Sequence, residues 1–126
     1  MNLLEKLQTM KVVPVIAMEN ASNAAKLAKV LVDNGLPCAE VTFRTPAAKE
    51  AIINMRKAYP DMLLGAGTVL TTKHVDDAIE AGVDFIVSLD SIQILLNTVN
   101  NARLKSFLVL IIQAWWNKLW RWELRH

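Results

Sequence analysis

CAEVTFRTPAAKEAIINMRKAYPDMLLGAGT, residues 38–68, decides the fold. It opens with Cys38 to Phe43, a strand-like run broken only by the carboxylate of Glu40. Thr45-Pro46 predicts an N-cap with proline at the first helical position. Ala48, Ala51, Ile52 and Met55 then recur at helical spacing as the stripe to be buried. Leu63-Leu64 leads through Gly65-Ala66-Gly67-Thr68, a second strand running into a loop. Strand, helix and strand in that order make one βαβ unit.

The same unit extends in both directions. Upstream, Lys11-Val-Val-Pro-Val-Ile-Ala17 is a short apolar, β-branched run of the kind buried on both faces of a sheet, with Pro14 awkward in its middle. Asn20 or Ser22 offers an N-cap, Ala24, Leu27, Ala28 and Leu31 follow at helical spacing, and Gly35 closes the helix as a C′ residue. Downstream, Thr71 or Thr72 caps a helix carrying Val75, Ala78 and Ile79, Gly82 ends it, and Phe85 to Ser88 is a fourth strand. Four βα units of about 20 to 26 residues imply parallel strands with right-handed helical crossovers. A doubly wound sheet and an eight-fold barrel are both built this way, and periodicity leaves both open. In either, chemistry gathers at the carboxyl ends of the strands. That places Glu40 to Arg44, Gly65 to Thr68 and Ser88 at the site.

The regular order stops at Ser88-Leu89-Asp90. Residues 91–126 hold all four tryptophans, no Gly, no Pro, and an apolar run from Phe107 to Ile112. The 126 residues suit one domain, and the net charge of +2 is divided unevenly. Residues 1–90 carry nine Lys/Arg against eleven Asp/Glu, and residues 91–126 carry five against one. A basic tail suits nucleic acid or an anionic membrane, or simply lacks acids by chance, and the second reading is preferred. Cys38, the only cysteine, allows no intrachain disulfide and fits a reducing cytoplasm. Glu5 and Lys6 interrupt any signal peptide, and Gln113, Asn117 and Lys118 break the tail's apolar run well short of a membrane span. A cytoplasmic, soluble chain is expected, with no nucleic-acid or membrane partner.

Few residues stand out chemically. Glu40 lies in an otherwise apolar strand, where burial raises a carboxyl toward proton-transfer use. Equally, it suits a structural carboxylate held by backbone donors or by Arg44. Arg44 follows the strand, where its guanidinium fork would grip a carboxylate or phosphate, or would be a plain surface arginine. Gly65-Ala-Gly67-Thr68 permits close approach of a ligand, with Thr68 adding a hydroxyl, although such turns also serve only to pack a helix on a strand. His74, among polar neighbours, reads as a solvated surface residue. No metal-ligand cluster, no cofactor motif and no nucleophile–base pair is visible.

Three blocks in order, Val12-Val-Pro-Val-Ile16, Glu40-Val-Thr-Phe-Arg-Thr45 and Gly65-Ala-Gly-Thr-Val-Leu70, resemble the N-terminal half of the KDPG/KHG aldolases, from about Leu4 to Ser88. The resemblance implies an α/β fold of the (β/α)8 TIM-barrel class, here cut to about four βα units over residues 1–88, with a non-family, mostly helical tail over 89–126. It implies a class I, Schiff-base aldolase, usually a homotrimer. That enzyme cleaves 2-keto-3-deoxy-6-phosphogluconate to pyruvate and glyceraldehyde 3-phosphate, or 4-hydroxy-2-oxoglutarate to pyruvate and glyoxylate. It makes Glu40 the general acid/base, Arg44 the clamp on the pyruvate carboxylate, and Thr68 a substrate-contacting hydroxyl, with no cofactor.

The chain departs from the family after Ser88. The family continues Ser-Pro-Gly, then carries its Schiff-base lysine in a Lys-Phe-Phe-Pro-Ala-Glu block and its phosphate site at a later Gly-Gly pair. None of these is present, and Lys105 and Lys118 match no part of the lysine motif. A one-base deletion is expected. Residues 88–93 back-translate as TCA-CTG-GAT-TCA-ATC-CA, and one restored C gives TCA-CCT-GGA-TTC-AAT-CCA, or Ser-Pro-Gly-Phe-Asn-Pro. Codons exist for the rest of the tail that restore a family-like string containing Ile-Ile-Pro-Gly, with a stop in the shifted frame after His126. Such a tail leaves the edge of the fourth strand unpaired and the chain inactive alone. Two alternatives stand beside this: a non-catalytic fragment that binds small oxoacids through Arg44 and Thr68, and a membrane-surface protein acting through Trp115, Trp116, Trp120 and Trp122.

Overall fold

The computed structural model describes residues 2–88 and 108–111. Helix α1 (Leu3–Met10) is followed by strand β1 (Val15–Ile16), a 3-10 turn (Ala21–Asn23) and α2 (Ala24–Asp33). Then come β2 (Cys38–Thr42), α3 (Ala48–Ala58), β3 (Leu63–Gly67), α4 (Thr72–Ala81), β4 (Phe85–Ser88) and β5 (Leu108–Ile111). All five strands are parallel and lie in sequence order. A doubly wound sheet needs a reversal of strand order to place helices on both faces. Here the order never reverses, and α2, α3 and α4 share one face. Four strands alternating with helices in this way are a (β/α)4 portion of a TIM barrel, so the choice that periodicity left open falls to the barrel.

Two cores follow from the two-residue period of the strands. Ala39, Val41, Leu64, Ala66 and Ile86 face the helices and pack with Ala24, Ala28, Ala51, Ile52, Met55, Val75 and Ala78. Cys38, Leu63, Phe85 and Val87 face the other way and are covered by Leu3, Leu7 and Met10 of α1. Cys38 and Leu63 begin their strands, so α1 closes the inner face at the amino ends and leaves the carboxyl ends to the site.

Several expectations need correction. Helix α1 went unread, although Asn2 and Glu5 form a reciprocal capping box, each side chain accepting from the other's backbone N–H at 2.9 Å. The first strand is two residues, because it begins only after Pro14, whose carbonyl accepts from Glu40 N–H at 2.9 Å. Thr45 does not cap α3, whose N-cap is Ala47; its hydroxyl donates to the Met18 carbonyl at 2.5 Å. Asn20 does cap its turn, Thr71 caps α4, and Gly82 ends α4 at φ 84°, as the spacing requires. The edge of β4 is not unpaired: β5 lies along it from Phe85↔Leu108 to Ser88↔Ile111. Residues 108–111 are strand, not helix, because a β-branched apolar segment can satisfy an exposed parallel edge through its backbone alone. The rest of the tail, including its four tryptophans, lies outside the described residues.

At the amino ends, one side chain ties three segments together. The Arg56 guanidinium, from α3, donates to the carbonyls of Pro60 (2.8 Å), Met62 (2.7 Å) and Gly82 (2.9 Å). It also pairs with Asp84 at 2.7 Å, and that carboxylate accepts from Leu64 N–H at 2.9 Å. The pair fixes where β3 starts and where the chain turns into β4. Arg56→Met keeps the aliphatic stem but strands these carbonyls, and the expected cost is roughly 2–3 kcal/mol in urea unfolding. Arg56→Lys is expected to recover less than half of that loss, since an ammonium cannot reproduce the fork.

Candidate functional site at the carboxyl ends of the strands

Glu40, Thr42, Gly65 and Gly67 share the inner face, because β2 and β3 pair Glu40↔Gly65 and Thr42↔Gly67. The glycines are required there by space. A Cβ on Gly67 would sit 1.9 Å from Glu40 Oε1, and one on Gly65 would sit 2.2 Å from the Phe85 ring. The Gly-x-Gly spacing therefore houses a carboxylate over one glycine and an aromatic ring over the next. Sequence reading singled out the glycines for ligand approach and missed that their first occupant is Glu40.

Glu40 is half-buried, and burial pushes its carboxyl above the ordinary glutamate range, opposed in part by the positive charge of Arg44. Among the described residues no side chain or backbone donor hydrogen-bonds to it, and its oxygens are not sealed away from solvent. Arg44 is exposed, just past the strand end, and Thr68 is half-buried, just past Gly67. The site therefore gathers one carboxyl raised by burial, one cation and one hydroxyl.

The rim is held by hydrogen bonds between neighbouring strand ends. Thr42 Oγ1 donates to the Ile16 carbonyl at 3.2 Å, and Phe43 N–H donates to the Gly67 carbonyl at 2.8 Å. Ser88, buried at the end of β4, donates through Oγ to the Val69 carbonyl at 2.9 Å. Thr68 itself adopts φ 53°, the left-handed region that a β-branched residue rarely enters. Thr42, Phe43 and Ser88 are thus rim supports, and all three carried the same signal in sequence, a position at the carboxyl end of a strand. The cavity of about 320 Å³ between Val32, Pro37, Tyr59 and Met62 lies at the opposite end of the sheet and contains none of the candidate residues.

Three of the described lysines lie away from this site in ion pairs. Lys49 pairs with Asp77 and Glu80, and Lys73 with Asp77, on the helical side of the sheet. Lys29 pairs with Asp33 along α2. Hydrogen bonds to carboxylates push Lys29 and Lys49 upward, the direction that keeps an amine protonated and non-nucleophilic.

Comparison with known proteins gives a consistent result. A family model described as KDPG and KHG aldolase matches residues 3–106. The 2-dehydro-3-deoxy-phosphogluconate aldolase of Haemophilus influenzae is 49% identical over 86 residues, which are 68% of this chain and 41% of that protein. The KHG/KDPG aldolase of Escherichia coli is 42% identical over 82 residues, 65% of this chain and 38% of that protein. Among solved structures, KDPG aldolase from Legionella pneumophila, with pyruvate captured as a covalent carbinolamine, superposes with a TM-score of 0.69 at 32% identity. It is matched over 79% of this chain and 47% of its own. The Zymomonas mobilis enzyme with 3-phosphoglycerate gives a TM-score of 0.67 at 39% identity, over 81% of this chain and 49% of its own. The chain thus spans about two-fifths of the length of the curated relatives it matches.

Two outcomes follow from the carboxyl over the glycine. Gly67→Ala must displace Glu40 and is expected to cost about 1–3 kcal/mol, but clearly less in a Glu40→Ala background, as a double-mutant cycle will show. A carboxyl raised by burial contributes stability that is full in acid and is lost as pH rises through its folded value. Glu40→Gln removes that loss, so melting curves of the two proteins should coincide in acid and separate toward neutral pH, with the variant more stable.

Proposed function

The chain belongs to the KDPG and KHG aldolase family, and from that premise we propose that it carries the proton-transfer side of a Schiff-base aldolase site without the amine. In this reading the substrate is a 2-oxoacid of the KDPG or KHG type, whose cleavage yields pyruvate with glyceraldehyde 3-phosphate or glyoxylate. Glu40 is the general acid/base, Arg44 holds the pyruvate carboxylate, and Thr68 contacts the substrate. The observation that carries it is the half-buried Glu40 carboxyl, raised by burial and set over Gly67 beside Arg44.

A Schiff base forms when an unprotonated lysine amine adds to the pyruvate ketone and water leaves; the iminium then acidifies the adjacent C–H for a base to remove. The described lysines with ion-pair partners are unsuited to that step, and residues 89–126 contain no Lys-Phe-Phe-Pro-Ala-Glu block. In this reading the chain alone is inactive as a lyase, for want of the family's lysine block, with residual use as a weak oxoacid binder and no assigned trimer. Residues 89–126 are read as an out-of-frame segment. Sequencing the coding DNA across codon 89 tests this, and an intact frame in several isolates would remove it.

Borohydride reduction in the presence of pyruvate is expected to leave the mass of the chain unchanged. A reduced pyruvate adduct on any lysine would overturn the inactive reading. Pyruvate titrated into labelled protein is expected to shift the Arg44 and Thr68 amide resonances with millimolar affinity, of the order of 4 kcal/mol.

A further inference from the structure

We propose that His74 is a positioning residue for the oxoacid site, joining the loop that carries Arg44 to the loop that carries Thr68. His74 is the third residue of α4, and the structure does not leave it solvated as its polar neighbours led us to expect: it is half-buried. Its backbone N–H is taken by the capping hydroxyl of Thr71 at 3.1 Å. Its side chain returns the interaction one residue further back, Nδ1 accepting from Leu70 N–H at 3.3 Å. A glutamate or glutamine at this helical position commonly accepts from the N-cap backbone in the same way. Here an imidazole takes that role and reaches the residue before the cap.

An imidazole adds what a carboxylate or amide lacks, a flat apolar face. The His74 ring lies 5.5 Å from the Phe43 ring, tilted by 47°. Phe43 directly precedes Arg44 and is itself tied to β3 through the Gly67 carbonyl. Leu70 stands two residues beyond Thr68, whose φ of 53° is held by its anchored neighbours. Before it, the Gly67 carbonyl accepts from Phe43 N–H; after it, Val69 is fastened to β4, accepting from Ser88 Oγ and donating to the Val87 carbonyl. One residue further on, Leu70 is fastened by His74. One ring thus sets the separation of the two loops, and an Nδ1 that accepts requires the neutral Nε2–H tautomer.

What the two loops hold rests on the oxoacid reading above; that His74 holds the loops does not. Three variants of the full chain separate its two contacts. His74→Phe keeps a ring but no acceptor, His74→Gln keeps an acceptor but no ring, and His74→Ala keeps neither. In the absence of ligand, amide exchange at Leu70 is expected to quicken roughly fivefold in the Phe and Ala variants and to be rescued by Gln, the factor that one hydrogen bond of about 1 kcal/mol supplies. The Arg44 amide is expected to move in Ala and Gln but not in Phe, and wild-type imidazole ¹⁵N shifts are expected to show a hydrogen-bonded, unprotonated Nδ1. Unchanged Leu70 exchange and unchanged Arg44 and Thr68 resonances in the Ala variant would overturn the proposal. With pyruvate added, weaker binding in Ala than in wild type extends the role to the ligand. If wild type shows no pyruvate shift, the oxoacid reading falls while the ligand-free comparison still decides the role of His74.

Discussion

The register between β2 and β3 is the constraint on which the site depends. By pairing Glu40 with Gly65 and Thr42 with Gly67, it brings the one inward-facing carboxylate of β2 against the two inward positions of β3 that have no side chain. A slip of one residue would turn either Ala66 inward beside Glu40 or Glu40 outward against the helices, since side chains alternate along a strand. The outward core of alanines, Ile52 and Met55 has no room for a charge, so the hydrophobic pattern enforces the register that the carboxylate needs. Stability and site geometry are therefore set by the same pairing.

Charge is distributed along the strands accordingly. At the amino ends Arg56 and Asp84 satisfy each other and four backbone groups, a saturated arrangement suited to holding segments. At the carboxyl ends Glu40 is left without a hydrogen-bond donor among the described residues, and Arg44 extends toward solvent. Burial raises the carboxyl while the arginine moderates the rise. No buried side-chain oxygen or nitrogen is left without a partner among the described residues, so the half-buried Glu40 carboxyl keeps access to the open end of the strands, beside a cation.

Much of this was legible in sequence because the signals were local. The alternation of apolar runs with capped helices located four βα units, and the stripe Ala48, Ala51, Ile52 and Met55 is buried as its spacing requires. Gly82 and Thr71 act as read, since a left-handed C-cap and a hydroxyl N-cap depend only on their immediate neighbours. What stayed hidden depends on partners distant in the chain. Thr45 looked like a cap but serves the Met18 carbonyl, 27 residues away, and Arg56 gave no sign of its contacts with Gly82 and Asp84. Glu40 was found by its oddness in an apolar strand, yet its placement over Gly67 needed the register. His74 was misread because composition describes sequence neighbours, whereas the ring's neighbour is Phe43 on another loop.

The fifth strand shows the limit of inferring design from pairing. Leu108–Ile111 lies in register along β4, as a fifth barrel strand would. Yet an exposed parallel edge presents a row of backbone donors and acceptors that any extended apolar segment can meet. Membership of a sheet is therefore weak grounds for assigning a segment to the barrel's chemistry. The stronger criterion is the side chain delivered to the carboxyl end of the strand, where β2 delivers Glu40 and then Arg44, β3 delivers Gly67 and Thr68, and β4 delivers Ser88 to brace them. By that criterion the candidate site, among the described residues, is built by the first 88, and pairing by residues 108–111 closes an edge without adding a reactive group, because Leu-Val-Leu-Ile contains none.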